Sequence, residues 1–367
     1  MIRRKGDATM RKTASIAAGL ALCASLLGAG AAFAGEAPPQ PLPEPGPGDA
    51  GAAWKLEPGW PRLAGDTALD TMAAIVSSGR GWAEQGGTVV VATDESWHDA
   101  LSAAPLAGRE GAPVLLTHRD GVPGQTLAQL DRLKPSKVIV VGGEAAVSEA
   151  AASQIAGRTG AELRRVFGQD AAETAVAVSR ELGGGGRSVL VATASTFQDA
   201  LAAAPYAYAN GCPVLLTRSD GTLSDEALAE VGGRRVVILG GREAVPESVE
   251  SQLGGRPLTR AGGVDSVDTS RLFAQWALAN GSSRSGMGVA TALDWYDALT
   301  GAALCGRCGS VLLLATDHDT SAVLEVASAG WGTPDWKECD GWIFGGKAAL
   351  STEAMMATPG SKRTEIG

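Results

Sequence analysis

Apolar and polar residues along this chain come in alternating blocks rather than residue by residue. Thr88–Ala92, Ala112–Leu116 and Val138–Val141 are short and apolar almost throughout. Thr67–Val76, Asp99–Ala107, Leu127–Leu133 and Ser148–Ile155 carry helical spacing instead. Short apolar runs separated by helices are the pattern of a parallel sheet covered on both faces. Right-handed crossovers then connect its strands. The pattern therefore predicts a three-stranded doubly wound unit, extended by a strand around Leu163–Phe167.

The whole block recurs. DALSAAP begins at Asp99 and DALAAAP at Asp199, 100 residues on, and Val89–Thr117 aligns with Val189–Thr217 without a gap. A worn third copy starts at Met287 and places Asp297 98 residues after Asp199. A glycine pair closes an apolar run at Gly142–Gly143, Gly240–Gly241 and Gly345–Gly346. An Arg-x-x-Gly recurs at Arg62–Gly65, Arg165–Gly168 and Arg260–Gly263. A period near a hundred residues is too long for a solenoid repeat and suits a small domain. The fold class expected is α/β: three tandem small Rossmann-like doubly wound units with parallel sheets, in pseudo-threefold arrangement. The expected organisation is a signal peptide (1–34), a Pro-rich linker (35–59) and repeat modules at 60–164, 165–259 and 260–367.

The leader rests on a basic start at Arg11 and Lys12, an apolar run from Ile16 to Phe33, and Ala32-Phe33-Ala34 as an A-x-A cleavage pattern. The segment EAPPQPLPEPGPGDAGAA has too many prolines to pack and reads as an extended spacer. Loss of the leader removes five basic residues and one acid and takes the net charge from −9 to −13. Such a chain is a poor candidate for nucleic acid or for an anionic membrane. No membrane insertion is expected after signal cleavage. Four cysteines follow Ala34, and export permits disulfides. The favoured bridge is Cys308 with Cys339, since each directly precedes a predicted strand; Cys305 with Cys308 is the alternative.

Ligands of parallel α/β sheets collect outside the carboxyl ends of the strands. Thr93, Thr193, Asp99, Asp199, Asp297, Gly142, Gly143, Gly240 and Gly241 should lie there and are the candidate ligand-binding residues. Each has a plainer reading. The aspartates suit helix caps, which is favoured over ligand contact, and the glycines suit tight turns. The aromatics before each aspartate, Trp97, Phe197 and Trp295, could stack on a sugar but read more readily as staples onto the following helix. The three histidines, His98, His118 and His318, do not recur between copies, and no nucleophile, metal or phosphate motif stands out. No catalytic residue, metal or cofactor is expected.

RVFGQDAAETA at Arg165, FQDALAAAPYA at Phe197, CPVLLT at Cys212 and VVILGG at Val236 together resemble the cell wall binding repeat 2 family, whose modules occur in threes in exported proteins of Gram-positive bacteria. The resemblance covers about Trp60 to the C-terminus and is weakest in the third copy. It implies a three-lobed Rossmann-like assembly, secreted and wall-associated, bound non-covalently to a cell wall polymer or glycan, with an anionic secondary polymer as the family's ligand and no catalysis by the repeats. A protein partner is left open. The chain departs from the family where a basic residue and an aromatic usually precede Glu-Thr: it has Ala68-Leu69, Ala171-Ala172 and Ser266-Val267.

Overall fold

The structure, a computed structural model, describes residues 54–57, 59–329, 340–357 and 362–365. The chain divides into residues 1–48 and 49–367, and every described element belongs to the second part. The expected leader lies outside the described residues, as do Cys339 and most of the expected linker.

Strands β1 (Trp54–Glu57) and β2 (Arg62–Leu63) come first. They are followed by α1 (Ala68–Val76), β3 (Thr88–Thr93), α2 (Trp97–Glu110), β4 (Val114–Thr117), α3 (Gly124–Leu133), β5 (Lys137–Val141), α4 (Glu149–Thr159) and β6 (Glu162–Val166). The second series is α5 (Ala171–Glu181), β7 (Ser188–Ala192), α6 (Gln198–Asn210), β8 (Val214–Leu216), α7 (Asp225–Val231), β9 (Arg235–Leu239), α8 (Glu247–Leu253) and β10 (Leu258–Ala261). The third is α9 (Ser266–Ala279), β11 (Met287–Thr291), α10 (Tyr296–Arg307), β12 (Leu312–Ala315), α11 (Ser321–Ser328) and β13 (Gly341–Phe344), with β14 (Lys362–Glu365) near the end.

Three four-stranded parallel sheets result, in the orders β4-β3-β5-β6, β8-β7-β9-β10 and β12-β11-β13-β2. The fold is α/β with three repeat units, as the blocks of apolar residues predict. Their central strands are buried along almost their whole length, because helices cover both faces. The fourth strand carries the Arg-x-x-Gly arginine, and in the first two sheets it follows through the chain. In the third it comes from the opposite end of the sequence. Arg62 and Leu63 pair with Ile343 and Phe344, in the register that Arg165 and Val166 take against Val140 and Val141. The linear repeat thus closes on itself. A two-stranded antiparallel ladder, Trp54–Glu57 against Lys362–Glu365, ties the chain ends a second time.

The alanine-rich helices α2, α6 and α10 are buried around most of their circumference, which small side chains permit by letting backbones approach. One repeat position shows how close. It holds Gly108 in α2, Tyr208 in α6 and Gly306 in α10. A Cβ on Gly108 would overlap the Tyr208 carbonyl, and one on Gly306 would stand 2.6 Å from the Tyr208 Cβ. The Tyr208 ring meets Trp82 edge-on with centroids 6.5 Å apart, and its hydroxyl donates to the Ala112 carbonyl at 3.0 Å. Burial pushes that phenol up to about 12. One large ring flanked by two glycines fills a position that three tyrosines would overfill.

Opposite outcomes are expected for two glycine substitutions. Gly108→Ala forces α2 away from α6 and should lower stability by about 2–3 kcal/mol. Gly157→Ala, in an exposed turn of α4 with open space around its Cβ, should be neutral or stabilising by up to about 1 kcal/mol. Urea unfolding of both variants checks this; equal effects would contradict the close helix approach.

Candidate functional site

At the carboxyl end of each sheet one loop-and-helix arrangement is built three times, always from two units. Thr93 and Thr291 end β3 and β11, and Thr193 directly follows β7. Their hydroxyls accept the amides of Glu95, Ser195 and Leu293 at 3.1, 3.1 and 3.2 Å, which closes the turn into the next helix. These threonines are buried and shape the loop.

The aspartates are placed differently from the capping expectation. α2 begins at Trp97, two residues before Asp99, and its N-cap Ser96 makes no side-chain capping bond; α6 and α10 also start without one. Asp99, Asp199 and Asp297 instead turn inward and bond threonines of the following unit: Thr174 on α5, Thr269 on α9 and, round the ring, Thr71 on α1. Each of those threonines also accepts an amide from the Arg-x-x-Gly glycine: Gly168 at 3.1 Å, Gly263 at 3.0 Å and Gly65 at 3.1 Å. The hydroxyl therefore receives one bond and gives one to the carboxylate. These are three equivalent ties between units.

The glycine pairs complete the tie. The first glycine of each has positive φ (Gly142 +115°, Gly240 +98°, Gly345 +96°), and a Cβ there would press on the aspartate, 2.6 Å from Asp99 Oδ2 in the first case. The second glycine has ordinary backbone geometry. The recurring arginines hold the same loops from below. Arg62 donates to the carbonyls of Gly345, Gly346 and Leu350. Arg165 donates to those of Gly142 and Val147, and Arg260 to those of Gly240 and Gly241. Sequence reasoning marked these arginines as landmarks and assigned them no role, although the recurrence of Arg165 and Arg260 23 and 20 residues after Gly142 and Gly240 was the available signal.

The new helices begin with strong caps. Thr67 and Asp70 form a capping box, Asp170 accepts the Glu173 amide at 2.8 Å, and Asp265 accepts the Asp268 amide at 2.9 Å. Here the capping acids sit at the start of the Thr-bearing helices, not of the DAL helices.

A cleft of about 410 Å³ opens at the junction of the first and second units. It brings Thr93, Asp99 and Gly143 together with Glu95, His98 and Gln169. His98 bridges the junction, with Ser96 Oγ at 2.8 Å from Nδ1 and the Ala194 carbonyl at 2.9 Å from Nε2. A wider cleft of about 520 Å³ joins the third unit to the first, between Tyr296 and the start of α1, beside the Asp94–His118 pair at 2.6 Å. A third cavity, about 320 Å³, lies at the other end of the first sheet, near Trp82 and Arg307. Trp97 stacks on His98 with centroids 3.7 Å apart and meets Phe197 edge-on, and Trp295 stacks on Tyr296 at 3.9 Å. Trp97 is the first residue of α2, and Phe197 and Trp295 are the N-caps of α6 and α10, so none of the three holds the position before the cap that a staple requires.

Cys212, Cys305 and Cys308 are free thiols. The Cys305–Cys308 bridge is therefore not formed, and Cys305 lies fully buried in the packed face of α10. Cys339, the favoured partner of Cys308, falls outside the described residues. Among the described residues, no group of three or more His, Cys, Asp or Glu is placed to hold a metal ion, and no helix is long and apolar enough to cross a membrane.

Three parallel α/β repeats closed into a ring, with the same two-unit tie at each junction, define a repeat-built protein. The chain belongs to the Cell wall binding domain 2 family, whose model matches residues 62–152, 165–250 and 260–355. It is 29% identical over 236 residues to N-acetylmuramoyl-L-alanine amidase LytC of Bacillus subtilis (strain 168), covering 64% of this chain and 46% of the amidase. It is 31% identical over 192 residues to an amidase enhancer of the same organism, covering 52% of this chain and 26% of that protein. The chain thus matches less than half the length of either relative. Cwp6 and Cwp8 from Clostridium difficile share the fold, with TM-scores of 0.72 and 0.71 at 23% identity. The matches cover 83% and 82% of this chain and 48% and 51% of theirs.

The junction carboxylates make stability depend on pH. Burial pushes Asp297 up to about 6 and moves Asp99 and Asp199 in the same direction. A raised carboxyl favours the protonated fold. Its contribution is full below the ordinary value of 3.8 and is lost as pH rises through about 6. Measured against Asp297→Asn, the wild type should gain on the order of 2–3 kcal/mol between pH 7 and pH 4. Urea midpoints across that window test it, and parallel pH profiles for the two proteins would refute it.

Proposed function

We propose that this protein is an exported, non-catalytic binding protein that docks non-covalently on a cell wall glycan or secondary polymer. The observation that carries the reading is the three-fold family match over a chain whose repeats close into a ring. Each junction presents loops from two units toward solvent at the strand ends, where ligands of such sheets gather.

The non-catalytic part is supported by how the polar groups at the junctions are used. The repeated aspartates are bonded to threonines of the next unit. The Ser96–His98 pair is held by the Ala194 carbonyl rather than by a carboxylate. The named activities of the amidase and the amidase enhancer belong to those proteins, of which this chain matches a minor part. A second reading, recognition of a protein without wall affinity, is favoured by the exposed Val264 (94%) and Leu293 (75%).

Co-sedimentation with purified walls, intact or stripped of secondary polymers, decides between them. Wall binding predicts that most of the protein pellets with intact walls at low salt. Binding retained on stripped walls assigns the ligand to the glycan, and binding lost on stripping assigns it to the polymer. Protein left in the supernatant with both preparations would overturn wall binding.

A further inference from the structure

The three junctions share their buried ties but differ at the rim. The residue after the glycine pair is Glu144 at the first junction, Arg242 at the second and Lys347 at the third, all exposed. The position just before the Arg-x-x-Gly glycine is Phe167 at the first junction, where the other repeats have Ala64 and Gly262. Phe167 is 53% exposed, an unusual state for a phenylalanine. Phe167 flanks the cleft without lining it, between Val166 and the lining Gly168, and a Cβ on Gly143, which lines the cleft, would stand 3.4 Å from its Cδ2.

The charge at this rim has one sign. Glu95, Asp99 and Asp170 line the cleft, Glu144 flanks it, and no lysine or arginine is among the lining residues. Arg165 beneath the loop donates through Nη1 to the carbonyls of Gly142 and Val147, and its Nη2, which makes no hydrogen bond, is closed off from solvent 3.6 Å from Glu149. Arg119 is turned toward Asp120 at 3.0 Å, while its amide donates to Glu95. A phosphate-bearing chain entering here would meet carboxylates without a compensating cation, which disfavours it. An aromatic face beside hydrogen-bond acceptors suits a sugar ring, whose C–H face packs on the aromatic while its hydroxyl, amide or amine groups donate to the acids. The cleft volume falls within the range of small-molecule sites, about 300–1,000 Å³.

We infer that the junction between the first and second units is a subsite for a phosphate-free amino-sugar chain, seated on Phe167 and directed by Glu95, His98 and Gln169. This deepens the wall-binding reading and rests on it. It also assigns this junction a ligand of different charge from the anionic polymer that the family resemblance implies.

Calorimetric titration of the full chain tests the assignment with three probes: the N-acetylglucosamine hexamer, the glucosamine hexamer and poly(glycerol phosphate). Both sugars should bind and the phosphate polymer should bind more weakly than either. Phe167→Ala should weaken both sugars at least tenfold, and Phe167→Trp should restore them. Glu95→Gln should weaken the glucosamine hexamer several-fold more than the acetylated one. Phe167 and Glu95 are exposed, so circular dichroism should report unchanged folding. Tighter binding of the phosphate polymer, no sugar binding, or sugar binding indifferent to Phe167→Ala would each overturn the inference. The wall assay separates this failure from that of the broader reading. Walls that still pellet the protein while neither hexamer binds remove this subsite alone, and hexamer binding without wall sedimentation removes wall docking alone.

Discussion

A carboxylate on one unit bonded to a threonine on the next, made three times around, is the contact on which the architecture turns. A parallel sheet of four short strands is a small core, and a unit of this size buries a modest share of its surface by itself. The tie from Asp99 to Thr174 fixes the glycine loop of one unit against the first helix of its neighbour. Asp199 to Thr269 repeats it, and Asp297 to Thr71 carries it from the last unit back to the first. A partly buried carboxylate is costly without donors, so these aspartates favour the geometry that supplies the threonine hydroxyl. The arginine below and the positive-φ glycine beside each aspartate make the same demand. Each junction is thereby specified by several residue types at once, which explains why they recur together.

Closure has a covalent asymmetry. The first two sheets receive their fourth strand through the chain, so that strand is already near its place when the sheet forms. The third sheet must recruit Arg62–Leu63 across nearly three hundred residues of sequence. Bringing such distant segments together costs loop-closure entropy, though the cost grows only slowly with length. The offset sets the outcome: because each sequence repeat opens with the last strand of a sheet, a row of three repeats ends one strand short and begins with one to spare. The β1–β14 ladder adds backbone bonds to the same closure.

Much of this was legible in the chain itself. Val89–Ala92 and Val138–Val141 can hardly be anything but buried strands between helices, and the repeat announced three units. The closing strand was not legible, because a pair as short as Arg62–Leu63 has no periodicity, and its partner is chosen by register in a distant sheet. The aspartates were misread for a local reason. The DAL helices begin one or two residues before the aspartate, at Trp97, Gln198 and Tyr296, which moves Asp99, Asp199 and Asp297 from the cap into the first turn. The pairing of Gly108 and Gly306 with Tyr208 was also hidden, since each looks like an arbitrary substitution until the three helices are brought together.

The residues that the copies share and those that separate them divide along a physical line. Shared positions are buried or bonded across a junction: the strand-end threonines, the aspartates, the first glycine of each pair and the arginine beneath. Altering one of them leaves an unsatisfied group or an overlap, a penalty of about 1–3 kcal/mol that a protein of ordinary stability feels. Positions that differ point outward from the same loops, as with Glu144, Arg242 and Lys347, or Phe167 beside Ala64 and Gly262. There a change of charge or size costs the fold little, because water solvates whichever side chain is present. A ring of three identical junctions would offer one kind of contact three times. A ring whose ties are fixed and whose rims are free can present three different surfaces on one scaffold, and the acidic, aromatic rim of the first junction beside the basic side chains of the other two is the form that freedom takes here.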